Sequence, residues 1–209
     1  MCLHGYRQNA VKFKSQTGAL RKNLRHEAEF FFLSAPHRIP GFESGGEGDD
    51  YDQRAWWFTK ENSFSSRDVT DLDKGLEESL DLVKKYFDEN GPFDALLGFS
   101  QGACLVSIIC ALKQKKQFKP DFKFAIIVSG FKSRCTLHSH YYDEKIHINS
   151  LHVIGETDEI ISNDMSYDLA NVFINAVILK HPGGHYVAGK SNLKDKYINF
   201  LQSQKTPTP

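Results

Sequence analysis

The amino-acid sequence predicts an α/β fold: a doubly wound, mostly parallel sheet with helices on both faces. Three observations carry that expectation. Short apolar runs alternate with amphipathic segments along the chain, the βαβα rhythm that builds parallel sheets. Several of those runs are continuously apolar, as strands covered on both faces require. A Gly-x-Ser-x-Gly string, Gly98-Phe99-Ser100-Gln101-Gly102, stands where one such run ends and a helical pattern begins.

Taken in order, Glu29-Phe30-Phe31-Phe32-Leu33 reads as a buried strand. From Asp71 to Asn90, the residues Leu72, Leu76, Leu80, Val83 and Phe87 recur at threes and fours and make one apolar helical face. Asn90-Gly91-Pro92 ends that helix. Phe93 to Phe99 is the next strand. Gly102 to Lys116 is a helix that starts apolar and ends basic, which complements its dipole. Phe124-Ala125-Ile126-Ile127-Val128, Leu151-His152-Val153-Ile154 and Ala176-Val177-Ile178-Leu179 are further buried strands, and Asn192 to Gln202 is the last helix. Two segments interrupt the rhythm. Residues 37–67 are rich in Gly, Asp, Glu and Ser yet hold Trp56-Trp57-Phe58. A long polar loop with an aromatic cluster often serves a binding site, so it is expected on the substrate side, with a packed surface loop as the other reading. Lys132 to Asn149 is the second irregular stretch, and residues 203–209 are expected to form a frayed tail.

The chain has 209 residues, which predicts one domain, 1–209, with a substantial core. Hydrophobic residues make up 40% and charged residues 25%, ordinary for a globular domain. Lys plus Arg balances Asp plus Glu at 26 each, which gives no reason to expect nucleic acid or an anionic membrane as partner. No stretch approaches the ~20 apolar residues of a membrane span. Met1-Cys2-Leu3-His4-Gly5 lacks the basic-then-apolar pattern of a signal peptide. Cys2, Cys104, Cys110 and Cys135 are scattered without zinc-like spacing. Cys104 and Cys110 lie in an apolar run and read as small core residues. Free thiols suit a reducing compartment.

The chemistry centres on Ser100. In Gly-x-Ser-x-Gly the serine sits on a sharp strand-to-helix turn, and side chains at the two glycine positions would collide with the strand or the helix. The following helix starts with free backbone N–H groups facing developing negative charge, so the Gln101 N–H is a candidate oxyanion donor. A serine hydroxyl needs a base, and in this arrangement the order along the chain is Ser, acid, His. His185 lies in Lys180-His181-Pro182-Gly183-Gly184-His185, a stiff loop after a late strand. His152 sits within a strand and reads as structural, while His138 and His140 have no carboxylate ahead of them at a strand end. Asp158 follows the Leu151 strand, at the carboxyl edge where open α/β sheets build sites, with Glu156 and Glu159 as neighbouring rivals. Asp164 and Asp168 are expected to face solvent or cap the next helix. The second oxyanion donor is expected from Leu3-His4-Gly5-Tyr6, through the Tyr6 N–H, with His4 supporting the loop. Phe42, Trp56 and Trp57 are candidates for an apolar wall against an acyl or alkyl chain. No metal or cofactor is expected. Pro182-Gly183-Gly184 rules out a zinc-binding helix across His181 and His185, His138-Ser139-His140 lacks a third ligand, and no nucleotide-binding glycine motif is present.

The string Cys2-Leu3-His4-Gly5-Tyr6-Arg7-Gln8-Asn9 resembles the opening motif of the FSH-type serine hydrolases of the α/β-hydrolase superfamily. Ala35-Pro36-His37, Arg54-Ala55-Trp56-Trp57, Leu97-Gly98-Phe99-Ser100-Gln101-Gly102 and His181-Pro182-Gly183-Gly184-His185 extend the resemblance over nearly the whole chain. It implies cofactor-free carboxylic-ester hydrolysis by the same three residues, in the cytoplasm or nucleus. Three departures stand out. Only Met1 precedes Cys2, so a truncated first strand and a loosened first oxyanion loop are expected; Ser162 and Ala188 stand where prolines are common. Two other functions fit the same residues. One keeps Ser100, His185 and Asp158 but takes a thioester or an acyl-protein. The other is a non-catalytic ligand-binding protein on the same fold.

Overall fold

The computed structural model describes residues 1–40 and 52–205. Eight strands run in chain order: β1 (Cys2–Leu3), β2 (Phe32–Leu33), β3 (His37–Arg38), β4 (Arg54–Ala55), β5 (Ala95–Phe99), β6 (Phe124–Val128), β7 (Asn149–Gly155) and β8 (Ala176–His181). The helices are α1 (Ala10–Gln16), α2 (Gly18–Asn23), α3 (Leu76–Asn90), α4 (Gln101–Gln114), α5 (Asn163–Ala170) and α6 (Lys194–Ser203). Six strands form one sheet in the order β2-β1-β5-β6-β7-β8, with every pair parallel. β3 and β4 pair separately and antiparallel. The chain steps outward from β1 to β2 and then returns to β5 on the other side of β1. Open sheets place sites at such a reversal, beyond the carboxyl ends of the strands.

Two cores cover the two faces. On one, Phe13 of α1, Leu20 of α2 and Tyr197 and Phe200 of α6 pack on Leu97, Phe99, Ile126 and Val128. On the other, Leu80 and Val83 of α3, Leu105 and Ile108 of α4 and Leu169 of α5 pack on Leu3, Leu96 and Ile127. Consecutive strand residues therefore part to opposite faces, as a pleated strand requires. The run from Gln101 to Leu112 is buried on every side, which explains why α4 is apolar all round instead of amphipathic.

Most predicted elements appear with shifted ends. Phe124 to Val128 matches residue for residue, and Gly91 closes α3 where the Asn90-Gly91-Pro92 signal lies. The α3 helix, however, starts at Leu76 instead of Asp71. Gly75 takes φ 93°, and Phe58 N–H donates to the Lys74 carbonyl at 2.9 Å, so the preceding residues join a turn against Phe58. Leu72 is left 36% exposed. The predicted Glu29–Leu33 strand keeps regular pairing only at Phe32–Leu33. Val177 and Ile178 are partly exposed because β8 is the sheet's edge. Within the polar loop 37–67, the described residues 37–40 and 52–67 include the β3–β4 pair, and Arg54 donates to Asp52 and to the Ala35 carbonyl. Ser162, where the resembled family commonly has a proline, caps α5 by accepting the Met165 N–H.

Candidate active site

Strand β5 delivers Ser100 to the carboxyl edge with φ 53° and ψ −115°, a strained conformation for a residue with a side chain. The Ser100 N–H donates to the Val128 carbonyl at 3.0 Å, which pins the turn to β6. A Cβ on Gly98 would collide with the Gly102 carbonyl oxygen and Ala103 Cα, and one on Gly102 with the Leu3 and His4 carbonyl oxygens. Both glycines are thus required by close backbone approach. Among the described residues, no acceptor takes the backbone N–H of Gln101 or of Tyr6.

His185, on the loop after β8, lies over the Phe99 ring with centroids 4.7 Å apart. Its Nδ1 is 2.8 Å from Asp158 Oδ2. Ser100, His185 and Tyr6 line one cavity of about 350 Å³ together with Gly5, Phe99 and Tyr186. The Ser100 hydroxyl makes no hydrogen bond to a described residue; such contacts often tighten only with substrate bound. Asp158 is buried, whereas its rivals Glu156 and Glu159 are exposed, as are Asp164 and Asp168. Asp158 Oδ1 accepts the N–H groups of Ile160 and Ile161 at 3.0 and 2.9 Å. Its Oδ2 also accepts the Ser129 hydroxyl at 2.8 Å. Burial works to raise this carboxyl, but the bonds from His185, Ile161 N–H and Ser129 outweigh it and hold it below the usual carboxylate range. The acid and histidine loops are tied to each other, since Thr157 N–H donates to the Gly183 carbonyl at 3.2 Å.

The loop after β1 is held from several sides. Ala35 N–H donates to His4 Nε2 at 2.9 Å, and Gly5 N–H to Gln8 Oε1 at 2.8 Å. The His4 carbonyl accepts Trp56 Nε1–H at 2.8 Å. These bonds tie the loop to residues outside β1. His4 is buried and neutral, its pKa lowered to about 4 by desolvation.

Trp56 and Trp57 require a correction. Both are fully buried in the core and neither lines the Ser100 cavity. The Gln101 side chain explains this: its Oε1 accepts Trp56 N–H at 3.0 Å and its Nε2 donates to the Trp57 carbonyl at 2.8 Å. The aromatic pair is thereby clamped to the first turn of α4, beneath the first loop. Phe42 lies outside the described residues. His138 has a carboxylate partner that stands at no strand end: its Nε2 meets Asp73 Oδ2 at 3.2 Å, and its Nδ1 meets Ser133 Oγ at 2.7 Å. The carboxylate comes from 65 residues upstream, beyond any local spacing, and the pair does not line the Ser100 cavity. His152 is structural as expected: buried, 3.0 Å from Ser150 Oγ, with its pKa lowered by desolvation to about 3. Cys104 and Cys110 are buried, as expected. A larger cleft of about 860 Å³ opens at the opposite, amino end of the strands around Met1, Phe31 and Ala95. It is lined by none of Ser100, Asp158 and His185, so the smaller cavity is the candidate site. Among the described residues no cluster of three His, Cys, Asp or Glu side chains converges to hold a metal ion, and no helix is long and apolar enough to cross a membrane.

Comparison with known proteins places this geometry in context. The sequence matches the serine hydrolase (FSH1) family over residues 1–197. It is 49% identical to Esterase OVCA2 of Xenopus tropicalis, covering 96% of this chain and 90% of that protein. Esterase OVCA2 of Danio rerio is 43% identical, with 97% and 95% covered. Among solved structures, Zea mays acyl-protein thioesterase 2 superimposes with a TM-score of 0.65 at 17% identity, over 97% of this chain and 91% of that one. The Bacillus cereus carboxylesterase superimposes with a TM-score of 0.58 at 15% identity, over 97% and 86%. At such identities these likenesses speak for the fold alone, that of the α/β hydrolases.

Proposed function

The chain belongs to the serine hydrolase (FSH1) family, and from that premise we propose that it hydrolyses carboxylic esters through Ser100, His185 and Asp158. One observation carries the reading: Asp158 Oδ2 holds His185 Nδ1 at 2.8 Å on the rim of the cavity that Ser100 lines. That bond fixes the tautomer with the proton on Nδ1 and leaves Nε2 free as a base.

In the proposed reaction, Ser100 Oγ attacks the ester carbonyl carbon while His185 Nε2 takes its proton. The Asp158 carboxylate stabilises the imidazolium that forms. The backbone N–H groups of Tyr6 and Gln101 donate to the oxyanion, worth about 10²–10³ in rate for each such donor. His185 then gives its proton to the leaving alcohol as the C–O bond breaks. Water repeats the sequence on the acyl-enzyme and releases the acid. No cofactor enters any step. The substrate is a small ester with an apolar acyl or alkyl chain; Phe99, Tyr186 and Val187 in the cavity lining support this. Four unpaired, buried cysteines support a reducing cytoplasmic or nuclear location.

Replacing Ser100 with Ala is expected to abolish turnover of short-chain aryl esters while leaving the fold intact. Undiminished hydrolysis by the folded variant overturns the assignment. Matched oxygen and sulfur esters separate ester from thioester preference, with the higher kcat/KM expected on the oxygen ester.

A further inference from the structure

Ser129 lies one residue beyond β6 and has no place in the sequence motif or in the reaction steps above. Its side chain is nevertheless built in. The residue takes φ 49°, in the left-handed region that costs energy for anything but glycine. It is 1% exposed, and its N–H donates to the Val153 carbonyl of β7 at 2.9 Å. The next residue locks it further: the Gly130 carbonyl accepts the Ser166 hydroxyl from α5 at 2.9 Å, and a Cβ on Gly130 would meet Ile127 and Leu169 side chains. This strained, packed turn aims one hydroxyl at Asp158 Oδ2, 2.8 Å away.

The carboxylate it meets is fully occupied. Oδ1 takes two backbone N–H groups, and Oδ2 takes the Ser129 hydroxyl and His185 Nδ1–H. The two backbone donors fix one oxygen but leave the carboxylate plane free to rock about that edge. Ser129 supplies the third fixed point. With it, the remaining lone pair of Oδ2 has a single direction, toward the imidazole.

We propose that Ser129 is a positioning residue for the proposed ester hydrolysis: its hydroxyl orients Asp158 so that Oδ2 holds His185 in the productive tautomer and angle. The proposal rests on the reading of Ser100, His185 and Asp158 given above. It assigns a function to the strain, because a glycine would sit at φ 49° without cost but would bring no donor.

The test compares Ser129→Gly and Ser129→Ala with the wild-type protein, alone and combined with Asp158→Asn, by steady-state hydrolysis of a short-chain aryl ester. The glycine variant relieves the backbone strain, so its fold is retained even where alanine is tolerated poorly. Both single variants are expected to lose about tenfold or more in kcat, the scale of a hydrogen bond to a charged group, with KM unchanged because the hydroxyl does not touch substrate. In the Asp158→Asn background Ser129→Gly is expected to cause no further loss, since the two act as one unit. A merely structural serine would lower kcat by the same factor in both backgrounds, or raise KM. Undiminished kcat in Ser129→Gly while Asp158→Asn is crippled overturns the role of Ser129 and leaves the hydrolase reading standing. Full activity of Asp158→Asn itself overturns that reading.

Discussion

Asp158 holds four hydrogen bonds on its two oxygens, and an amide cannot satisfy that set. In Asp158→Asn the NH2 group faces either His185 Nδ1 or the N–H groups of Ile160 and Ile161. The first choice favours the wrong imidazole tautomer, and the second sets donor against donor. On the proposed mechanism kcat falls on the order of 10⁴-fold, measured by ester hydrolysis with circular dichroism as a check on folding. A fall of less than tenfold in a folded variant contradicts the role given to Asp158. Ser100, His185 and Asp158, the residues of the proposed reaction, are candidates in the sequence because each follows an apolar run at its carboxyl end. Ser129 follows Phe124–Val128 in the same way, and that position was the available signal. A serine after a strand belongs to no motif, and its partner lies 29 residues away.

The first turn of α4 does two jobs. Its backbone presents the Gln101 N–H, and its Gln101 side chain clamps the backbone of Trp56 and Trp57. Gln101→Ala keeps the first and removes the second, leaving a buried N–H and a buried carbonyl unpaired at about 1–3 kcal/mol each. A lower urea midpoint is expected, with ester hydrolysis reduced but measurable; an unchanged midpoint contradicts the clamp. Gly102→Ala tests the same junction sterically, since its Cβ would press on the Leu3 and His4 carbonyl oxygens. Overpacking of this kind costs about 1–3 kcal/mol, read as a lower thermal midpoint. The aromatic pair shows where pattern reading misleads. A polar surrounding sequence marks Trp56 and Trp57 as an apolar wall, but they join a core built by residues far away in the chain, and their hydrogen-bond partners, Gln101 and the His4 carbonyl, are equally distant in sequence. Leu72 misleads similarly: it keeps helical spacing with Leu76, yet Gly75 and the pairing of Phe58 with Lys74 end the helical face before it. β6, buried by its own apolar side chains on both faces, needed no distant partner to be read.

Across the whole molecule, four buried histidines, His4, His138, His152 and His181, are held below the ordinary value, chiefly by desolvation, and His4 and His152 most strongly. His4 and His152 have pKa values lowered from 6.5 to about 4 and about 3 by desolvation. The unfolded chain binds their protons as pH falls through 6.5, and the folded chain does not until the lower values. Their contribution to stability is therefore intact above pH 6.5 and declines as pH falls toward 4. The urea midpoint is expected to drop between pH 7 and pH 5, with the His4 and His152 ring resonances unshifted over that range. Ring resonances that titrate near 6.5 in the folded protein contradict the account. All the groups of the proposed reaction stand at the carboxyl ends of β1, β5, β7 and β8, so their activity is a property of the assembled sheet. The most direct measurement is labelling of the purified protein with a fluorophosphonate probe, mapped by mass spectrometry. The account predicts an adduct on Ser100 in the wild-type protein and none in His185→Ala. A folded wild-type protein without that adduct, or labelling that survives in His185→Ala, contradicts an activated Ser100.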